Sequence, residues 1–419
     1  MPSQTQELAA PAVVLKPDRA ELRLLAKPVR VLVIFNTIVL YGMERQVIEL
    51  FDLLRPEVEP HFLLSSLTLR GNLPLLGEIK QRGLEHSFFS DQPDWPWIGR
   101  PRSPAHAWRF LRGIIKGNRD TLRRARDCDA IYLPAWGYGY FALAACAYAR
   151  LAGKRVIYCF HDLPRKWLGH LRLVSLLVSD CAHHTQFGYD FTARTNPYIA
   201  RKKAFICPTR TQTWRLCGSD PQLQRELRGK RNLLFVGQVG KHKGVDLLLE
   251  AFASLAAEYP DVDLHVLGEG GYEAELRRRV EAVGLDSRVR LWGYRDDVHD
   301  FLRSTYLYIH PSPPSRFQEA FGRGAVEAMS QQVPVVCFRS GALQEIVLHE
   351  KTGLICEQET AACLAQNIRR FLDDPCLRAS CAREALGRCQ QMYSDESIRG
   401  RWVKFLTEGH AQREADNQA

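Results

Sequence analysis

The chain has 419 residues, 46% of them hydrophobic and 25% charged, with 57 Lys+Arg against 47 Asp+Glu and a formal net charge of +10. That is the make-up of a folded chain with apolar material for two or three domains, and it excludes a fibre, wholesale disorder or a small disulfide scaffold. No apolar run reaches the ~18 residues that a membrane-spanning helix needs.

The opening Met-Pro-Ser-Gln-Thr lacks the basic and apolar regions of a secretory signal. A cytoplasmic protein is therefore expected, peripheral at the inner face of a membrane if it meets one. The 12 cysteines include no Cys-x-x-Cys pair, and Cys146, Cys159, Cys207, Cys337 and Cys356 sit in apolar surroundings. They read as buried small hydrophobes rather than zinc ligands or redox pairs. The basic balance favours anionic partners without choosing among phosphate, membrane surface and nucleic acid.

Residues 1–27 show no pattern. Val31-Leu32-Val33-Ile34-Phe35 is a short apolar run of the kind buried in a parallel sheet. Gly42 follows in an expected loop, and Met43, Val47, Leu50, Phe51 and Leu54 recur at helical spacing. Phe62–Leu67, Ala130–Leu133 and Val156–Phe160 are further strands, with a helix near 139–152. The alternation of strand and helix predicts an α/β domain over 28–210. A polar linker is expected over 209–231.

A second series begins at Leu233-Leu234-Phe235-Val236-Gly237. Helices are expected at about 244–257 and 271–283, and strands at Leu264–Gly268, Val289–Gly293, Leu307–Pro311 and Val333–Cys337. This gives a second doubly wound domain over 232–390. A final helix over 391–408, carrying Met392, Tyr393, Ile398, Trp402, Phe405 and Leu406, is expected to pack back on the first domain. Residues 409–419 are polar and expected to fray. In such sheets ligands bind beyond the C-terminal ends of the strands, so two facing domains would enclose a cleft.

Three segments fall at such strand ends. Gly237-Gln238-Val239-Gly240-Lys241-His242-Lys243-Gly244 joins a strand to a helix start. It is either a tight turn with solvated lysines or a loop whose glycines and helix N-terminus admit an anion. Glu319-Ala320-Phe321-Gly322-Arg323-Gly324-Ala325-Val326-Glu327 opens another helix, with Glu327 expected in its first turn or so. Those carboxylates could be solvated or could accept ribose hydroxyls, beside backbone donors for a diphosphate. His161-Asp162 ends the Val156–Phe160 strand, as a turn or as a cleft residue.

Together these segments resemble the retaining glycosyltransferases of family 4, which adopt the GT-B fold of two Rossmann-like domains. The resemblance rests on Gly237 with Lys243-Gly244, the Glu-x7-Glu spacing of Glu319 and Glu327, and Gly341-Ala342-Leu343-Gln344-Glu345 followed by Lys351-Thr352-Gly353. In the first half it rests on Gly42-Met43-Glu44-Arg45 and His161-Asp162. It covers roughly residues 30–405.

The resemblance implies a nucleotide-sugar donor, a UDP-sugar first and GDP-mannose next, as a co-substrate. It implies a hydroxyl acceptor, such as a lipid-linked or cell-envelope glycan, and neither cofactor nor metal. By the same likeness Lys243 contacts the diphosphate, Glu327 the ribose, Glu319 with Ala320, Phe321 and Gly322 the donor sugar, and the backbone at Gly293-Tyr294 the base. Gly42 approaches the diphosphate from the first domain and His161 lies over the donor sugar. Lys243, Glu319 and His161 are thus the catalytic candidates.

Three positions depart from the family pattern. Gln238 stands where an arginine is usual, Tyr41 replaces the first glycine of the N-terminal loop, and Arg323 follows Phe-Gly in place of an apolar residue. Arg323, Lys241 or His242 could supply the missing charge. A catalytically degenerate nucleotide-sugar-binding or regulatory protein on the same scaffold is the alternative.

Asp261-Val262-Asp263 reads as a turn before a strand rather than a metal site. The segment 100–127 is basic and amphipathic. It fits a helix with a solvated basic face, a contact with an anionic membrane, or a seat for an anionic acceptor. Trp95 and Trp97, with Tyr41, are candidates for the acceptor side, or the Trp-Pro-Trp stretch is a structural loop. No recognisable nucleic-acid-reading module is present, so nucleic acid is not an expected partner.

Overall fold

The computed structural model describes residues 27–35, 42–66, 74–90, 104–134, 141–159, 184–187, 204–207, 221–319 and 321–418. Two parallel sheets organise them, one of seven strands and one of six.

The first sheet contains β1 (Val29–Phe35), β2 (Val58–Leu64), β3 (Glu85–Phe88), β4 (Ala130–Leu133), β5 (Arg155–Cys159), β6 (His184–Phe187) and β7 (Ala204–Ile206), in the order β3-β2-β1-β4-β5-β6-β7. β1 lies between β2 and β4, with Val33 opposite Phe62 on one side and Tyr132 on the other. Its continuous apolar run follows from burial on both sheet faces: Val31 to Phe35 are all fully buried. Helices α1 (Gly42–Leu53), α2 (Pro74–Gln81), α3 (Pro104–Ala125) and α4 (Leu143–Leu151) connect the strands. Gly42, expected in a loop, is the first residue of α1.

The second sheet contains β8 (Arg231–Val236), β9 (Val262–Leu267), β10 (Val289–Leu291), β11 (Thr305–His310), β12 (Val335–Phe338) and β13 (Gly353–Cys356), in the order β10-β9-β8-β11-β12-β13. Side chains alternate across a strand, and the two cores of this domain show it. Leu233, Leu264, Leu307, Ile309, Val336 and Leu354 fill the core on one face. Leu234, Leu267, Tyr308, Val335, Cys337 and Ile355 fill the other.

The sequence-based expectations miss two features here. The segment expected as a polar linker contains a helix, α5 (Pro221–Leu227). Its Leu223 and Leu227, one turn apart, are buried in the second core. The end of the chain is two helices. After α6 (Val245–Leu255), α7 (Glu273–Ala282), α8 (Val298–Arg303), α9 (Arg323–Ser330), α10 (Leu343–Ile346) and α11 (Ala361–Asp373) come α12 (Pro375–Met392) and α13 (Asp395–Gln418). The helix thus runs on through the stretch expected to fray. Asp374 starts α12 by accepting from the Leu377 amide at 2.9 Å, with Pro375 at its first position.

The two terminal helices serve different cores. Ala385, Cys389 and Tyr393 pack in the second domain. Ile398, Trp402, Val403, Phe405 and Leu406 of α13 pack in the first, where Trp402 meets Tyr132 edge-on at 6.1 Å between ring centroids. An ion pair between Arg399 and Glu57 fastens α13 to the same domain.

Of the nine cysteines whose side chains the structure describes, seven are buried, and all nine have free thiols. Burial pushes the thiols of Cys207, Cys337 and Cys389 up to about 12, which leaves them unreactive at neutral pH.

Candidate active site

The order of the second sheet reverses between β8 and β11, which lie side by side with Leu234 opposite Tyr308. A reversal of this kind opens a crevice at the C-terminal ends of the two strands. The loops that leave those ends carry the charged residues of the site.

After β8 the chain runs through Gly237 to Gly240, makes a single 3-10 turn over Lys241–Lys243, and enters α6 through Gly244. Gly244 has φ +72, and a Cβ there would stand 1.8 Å from the Pro311 carbonyl oxygen. Only glycine lets this loop close against the loop after β11. Arg316 ties the same two loops, donating to the Asp246 carboxylate at 2.8 and 2.9 Å and to the Lys241 carbonyl at 3.0 Å.

These contacts bring Lys243 onto Glu319, with Nζ 2.8 Å from Oε1. The same oxygen receives His310 Nε2 at 2.9 Å and the Ser312 hydroxyl at 2.6 Å. The Lys243 ammonium also lies 3.7 Å from the centroid of the Phe317 ring. Glu319 is only 6% exposed. Burial by itself would raise its carboxyl pKa, but His310 and then Lys243 outweigh it and hold the group well below the usual carboxylate range. An ionised Glu319 accepts the Nε2 proton of His310. The other ring nitrogen, Nδ1, is buried without a hydrogen-bond partner among the described residues.

The backbone of Glu319 is strapped from behind. Its carbonyl accepts the Ala342 amide at 2.7 Å and its amide meets the Ser340 hydroxyl at 3.3 Å. Gly341, at φ +51, permits this. A Cβ on it would come within 2.0 Å of the Glu319 carbonyl oxygen.

Gly322, at φ +69, starts α9. Glu327 is the fifth residue of that helix, just past its first turn, where the helix dipole acts on it less than on the opening residues. It is 8% exposed, and its Oε1 accepts from Arg323 Nε at 2.7 Å. Tyr294 is 73% exposed, and its amide lies 3.4 Å from Glu269 Oε1. The loops after β8, β9 and β10 form one rim, through Val239 N to Glu269 O at 3.0 Å and Gly268 N to Gly293 O at 2.7 Å.

The structure thus joins Lys243 to Glu319 and Arg323 to Glu327. Gln238 is exposed on the rim. Of the three substitutes for its missing charge, Lys241 lies 5.3 Å from the Tyr272 ring centroid, His242 packs edge-on to Phe317 at 5.6 Å, and Arg323 is paired with Glu327. The His242 pKa is lowered by burial and by the neighbouring Lys243. Phe321 is part-buried against the second core. Tyr41, Trp95, Trp97, His161 and Ala320 lie outside the described residues. Asp261 pairs with Arg231 at 2.7 Å and Asp263 with Arg288 at 3.5 Å. Among the described residues no group of three or more His, Cys, Asp and Glu is arranged to hold a metal.

His310, Ser312, Phe317 and Ser340 went unread in the sequence. The signal was present for His310, a polar residue closing the apolar run of β11 at a strand end.

Residues 221–388 match the family described as glycosyl transferases group 1. Among curated proteins, the chain is 33% identical over 231 residues to the D-inositol 3-phosphate glycosyltransferase of Pseudarthrobacter chlorophenolicus, covering 53% of this chain and 52% of that protein. It is 29% identical over 194 residues to the lipopolysaccharide core biosynthesis mannosyltransferase LpsB of Rhizobium meliloti, covering 45% and 52%. The chain spans about half the length of the curated relatives it matches.

Among solved structures, HepE of Anabaena in complex with UDP superposes with a TM-score of 0.72 at 17% identity, over 90% of this chain and 100% of that one. A glycosyltransferase of Rickettsia africae gives 0.72 at 15% identity, over 91% and 98%. These similarities extend through both domains, and the fold is GT-B.

Proposed function

We propose that this protein transfers a sugar from a nucleoside-diphosphate sugar to a hydroxyl acceptor, with retention at the sugar carbon. The observation that carries the reading is the Lys243–Glu319 pair bridging the crevice where the sheet order reverses. A cation and a carboxylate held together at that point suit a donor with an anionic diphosphate beside a polyhydroxylated sugar. A UDP-sugar is the first choice of donor. HepE of Anabaena has been crystallised with UDP-glucose, at a TM-score of 0.68 and 18% identity to this chain.

Lys243 has three ammonium protons, and one of them is given to Glu319. The others are available to the diphosphate. As the bond from sugar carbon to phosphate oxygen breaks, its electron pair goes to the leaving diphosphate, where the Lys243 ammonium offsets the growing charge. The acceptor oxygen bonds the same carbon from the same face and its proton passes to a phosphate oxygen. Glu319 accepts sugar hydroxyls, and Glu327, oriented by Arg323, accepts those of the ribose. Tyr294 backbone groups meet the base.

Gly42 approaches the diphosphate and His161 the donor sugar, roles that rest on the family resemblance. A His161→Ala protein should lose more turnover than donor affinity, and near-normal turnover in the folded variant removes that role. The acceptor is a hydroxyl of a lipid-linked or cell-envelope glycan.

The test is a panel of nucleotide sugars ranked by thermal shift, followed by turnover against glycan and lipid acceptors with the anomeric configuration of the product read by NMR. Release of nucleoside diphosphate with product of the donor's configuration is expected. Inversion overturns the mechanism. Tight donor binding without any transfer favours the degenerate binding protein, a reading that the exposed Gln238 would explain.

A further inference from the structure

Helix α3 (Pro104–Ala125) is built inside out. The face it turns to its own domain carries small residues. Gly113, Gly117, Thr121 and Ala125, spaced by four, are buried. Ile114 packs part-buried against the same core, but three large apolar residues are on the other side: Trp108 is 63% exposed, Leu111 47% and Ile115 59%. An amphipathic helix of a globular domain ordinarily does the reverse.

The orientation is fixed by specific contacts. A Cβ on Gly117 would meet the Phe141 ring at 2.5 Å, so the backbone already touches that ring and no larger residue fits beneath it. The Thr121 hydroxyl donates to the Phe141 carbonyl at 2.6 Å, the Asn118 side chain accepts the Ala144 amide at 2.9 Å, and Asp120 accepts both the amide and the hydroxyl of Ser90 at 2.8 and 2.7 Å. Rolling the helix to bury Trp108 and Ile115 would break all of these.

Basic residues share the outward face. Trp108, Arg112, Ile115 and Arg119 follow one another at steps of four, three and four, which sets them in a single stripe. Arg123 lies one turn beyond Arg119, and Arg112, Arg119 and Arg123 are exposed. The stripe therefore combines an aromatic ring, two aliphatic side chains and a row of guanidinium groups. The helix follows β3 and leads back to the start of β4, and Asp120 meets Ser90 just past the C-terminal end of β3, so the N-terminal half of the helix, with Trp108 and Leu111, projects beyond that edge of the sheet.

We infer that the outward face of α3 docks on the surface of an anionic lipid bilayer. The apolar stripe would sink to the boundary between headgroups and acyl chains, with Trp108 at the interface, while the arginines extend to the lipid phosphates. A second copy of the chain suits this face less well, since a symmetric contact would oppose two arginine rows. Nucleic acid would leave Leu111 and Ile115 unused. With its row of arginines α3 lies on a membrane rather than through it, and among the described residues no helix is long and apolar enough to cross one. The inference does not depend on the sugar-transfer reading, and vesicle binding is measured without turnover.

The full chain is sedimented with vesicles of phosphatidylcholine alone and of phosphatidylcholine mixed with phosphatidylglycerol, at low and at physiological salt. Binding to the mixed vesicles only, weakened by salt, is expected. The variant Arg112→Gln/Arg119→Gln/Arg123→Gln should lose about fivefold in affinity per residue at low salt. The variant Trp108→Ser/Leu111→Ser/Ile115→Ser should lose more than about tenfold at either salt. Brominated lipid should quench tryptophan emission of the wild type and quench it less in Trp108→Phe, a substitution on the surface that keeps the fold. Wild-type protein that ignores mixed vesicles at low salt overturns the inference. So does a folded apolar variant that binds as the wild type does. Self-association in the absence of vesicles, lost in that variant and unaccompanied by lipid binding, would reassign the face to a second copy.

Discussion

On the proposed reading, replacing Lys243 by Ala removes a cation from two partners at once, and the two losses are separable. The first is internal. Glu319 is buried and keeps His310 at 2.9 Å and Ser312 at 2.6 Å, but loses its contact with the ammonium at 2.8 Å. Removing one member of a buried pair costs about 3–5 kcal/mol when the remaining charge is left alone. Here two donors remain and the lysine side chain is 18% exposed, so the loss of one charge-assisted hydrogen bond, about 1.5–3 kcal/mol, is the better figure. The second loss falls on the donor. Deleting a preorganised group that meets developing charge costs about a hundredfold to a thousandfold in turnover. Urea unfolding reads the first loss, and initial rates at saturating donor and acceptor read the second. Lys243→Arg should recover stability better than rate, because a guanidinium can meet Glu319 while placing its charge differently from an ammonium. A folded Lys243→Ala protein with turnover within about threefold of the wild type would refute the placement of Lys243 on the diphosphate.

Four further outcomes follow from the same geometry. Gly341→Ala puts a Cβ against the Glu319 carbonyl and a side chain at φ +51; it should cost about 1–3 kcal/mol in urea unfolding and depress turnover, and a variant equal to the wild type in both would deny the strap any role. Glu327→Ala should weaken binding of the nucleoside diphosphate by the worth of one charge-assisted hydrogen bond, about 1.5–3 kcal/mol by calorimetric titration, and unchanged affinity would remove Glu327 from the ribose. Turnover should survive excess EDTA on the proposed reading, in which Lys243 meets the diphosphate, and a complete loss restored by magnesium would overturn that assignment. Because the folded-state pKa of Glu319 is depressed, its stabilisation is fully present above the ordinary carboxyl value of 4.5 and fades as pH falls below it towards the folded value; urea unfolding from neutral pH downward should show that acid arm, flattened in Glu319→Gln.

The fold was legible where burial on both sheet faces forces an unbroken apolar run, as in Val31–Phe35 and Leu233–Val236. It was less legible where packing uses small side chains. α12 buries Cys381, Ala382, Ala385 and Cys389, a face too weakly apolar to stand out from its arginines. α5 has seven residues and shows only Leu223 and Leu227 to the core, so its polar majority reads as linker. The outward stripe of α3 was visible as basic and amphipathic. Its direction was not, because a helical period does not say which face is inside until Gly117 is seen against Phe141.

The candidate site divides in the same way. Lys243, Glu319 and Glu327 lie in recognisable spacings, whereas His310 and Ser312 reach Glu319 only because the chain turns back over Pro313–Phe317, just past the Gly244 contact at Pro311. Those two residues change what the lysine is for. If Lys243 alone kept Glu319 ionised, a diphosphate drawing the ammonium away would leave a buried carboxylate uncompensated, and donor binding would work against the site. With His310 and Ser312 on the same oxygen, the carboxylate keeps two donors while the ammonium leans toward phosphate. The absence of an arginine at position 238 raises the demand on that lysine. Arg316 is committed to Asp246 and Arg323 to Glu327, so the two nearby guanidinium groups hold the walls of the crevice. On the proposed reading the site thereby separates support from catalysis: arginines fix the loops and the Glu327 carboxylate, and Lys243 is left to follow the charge as it moves onto the leaving group.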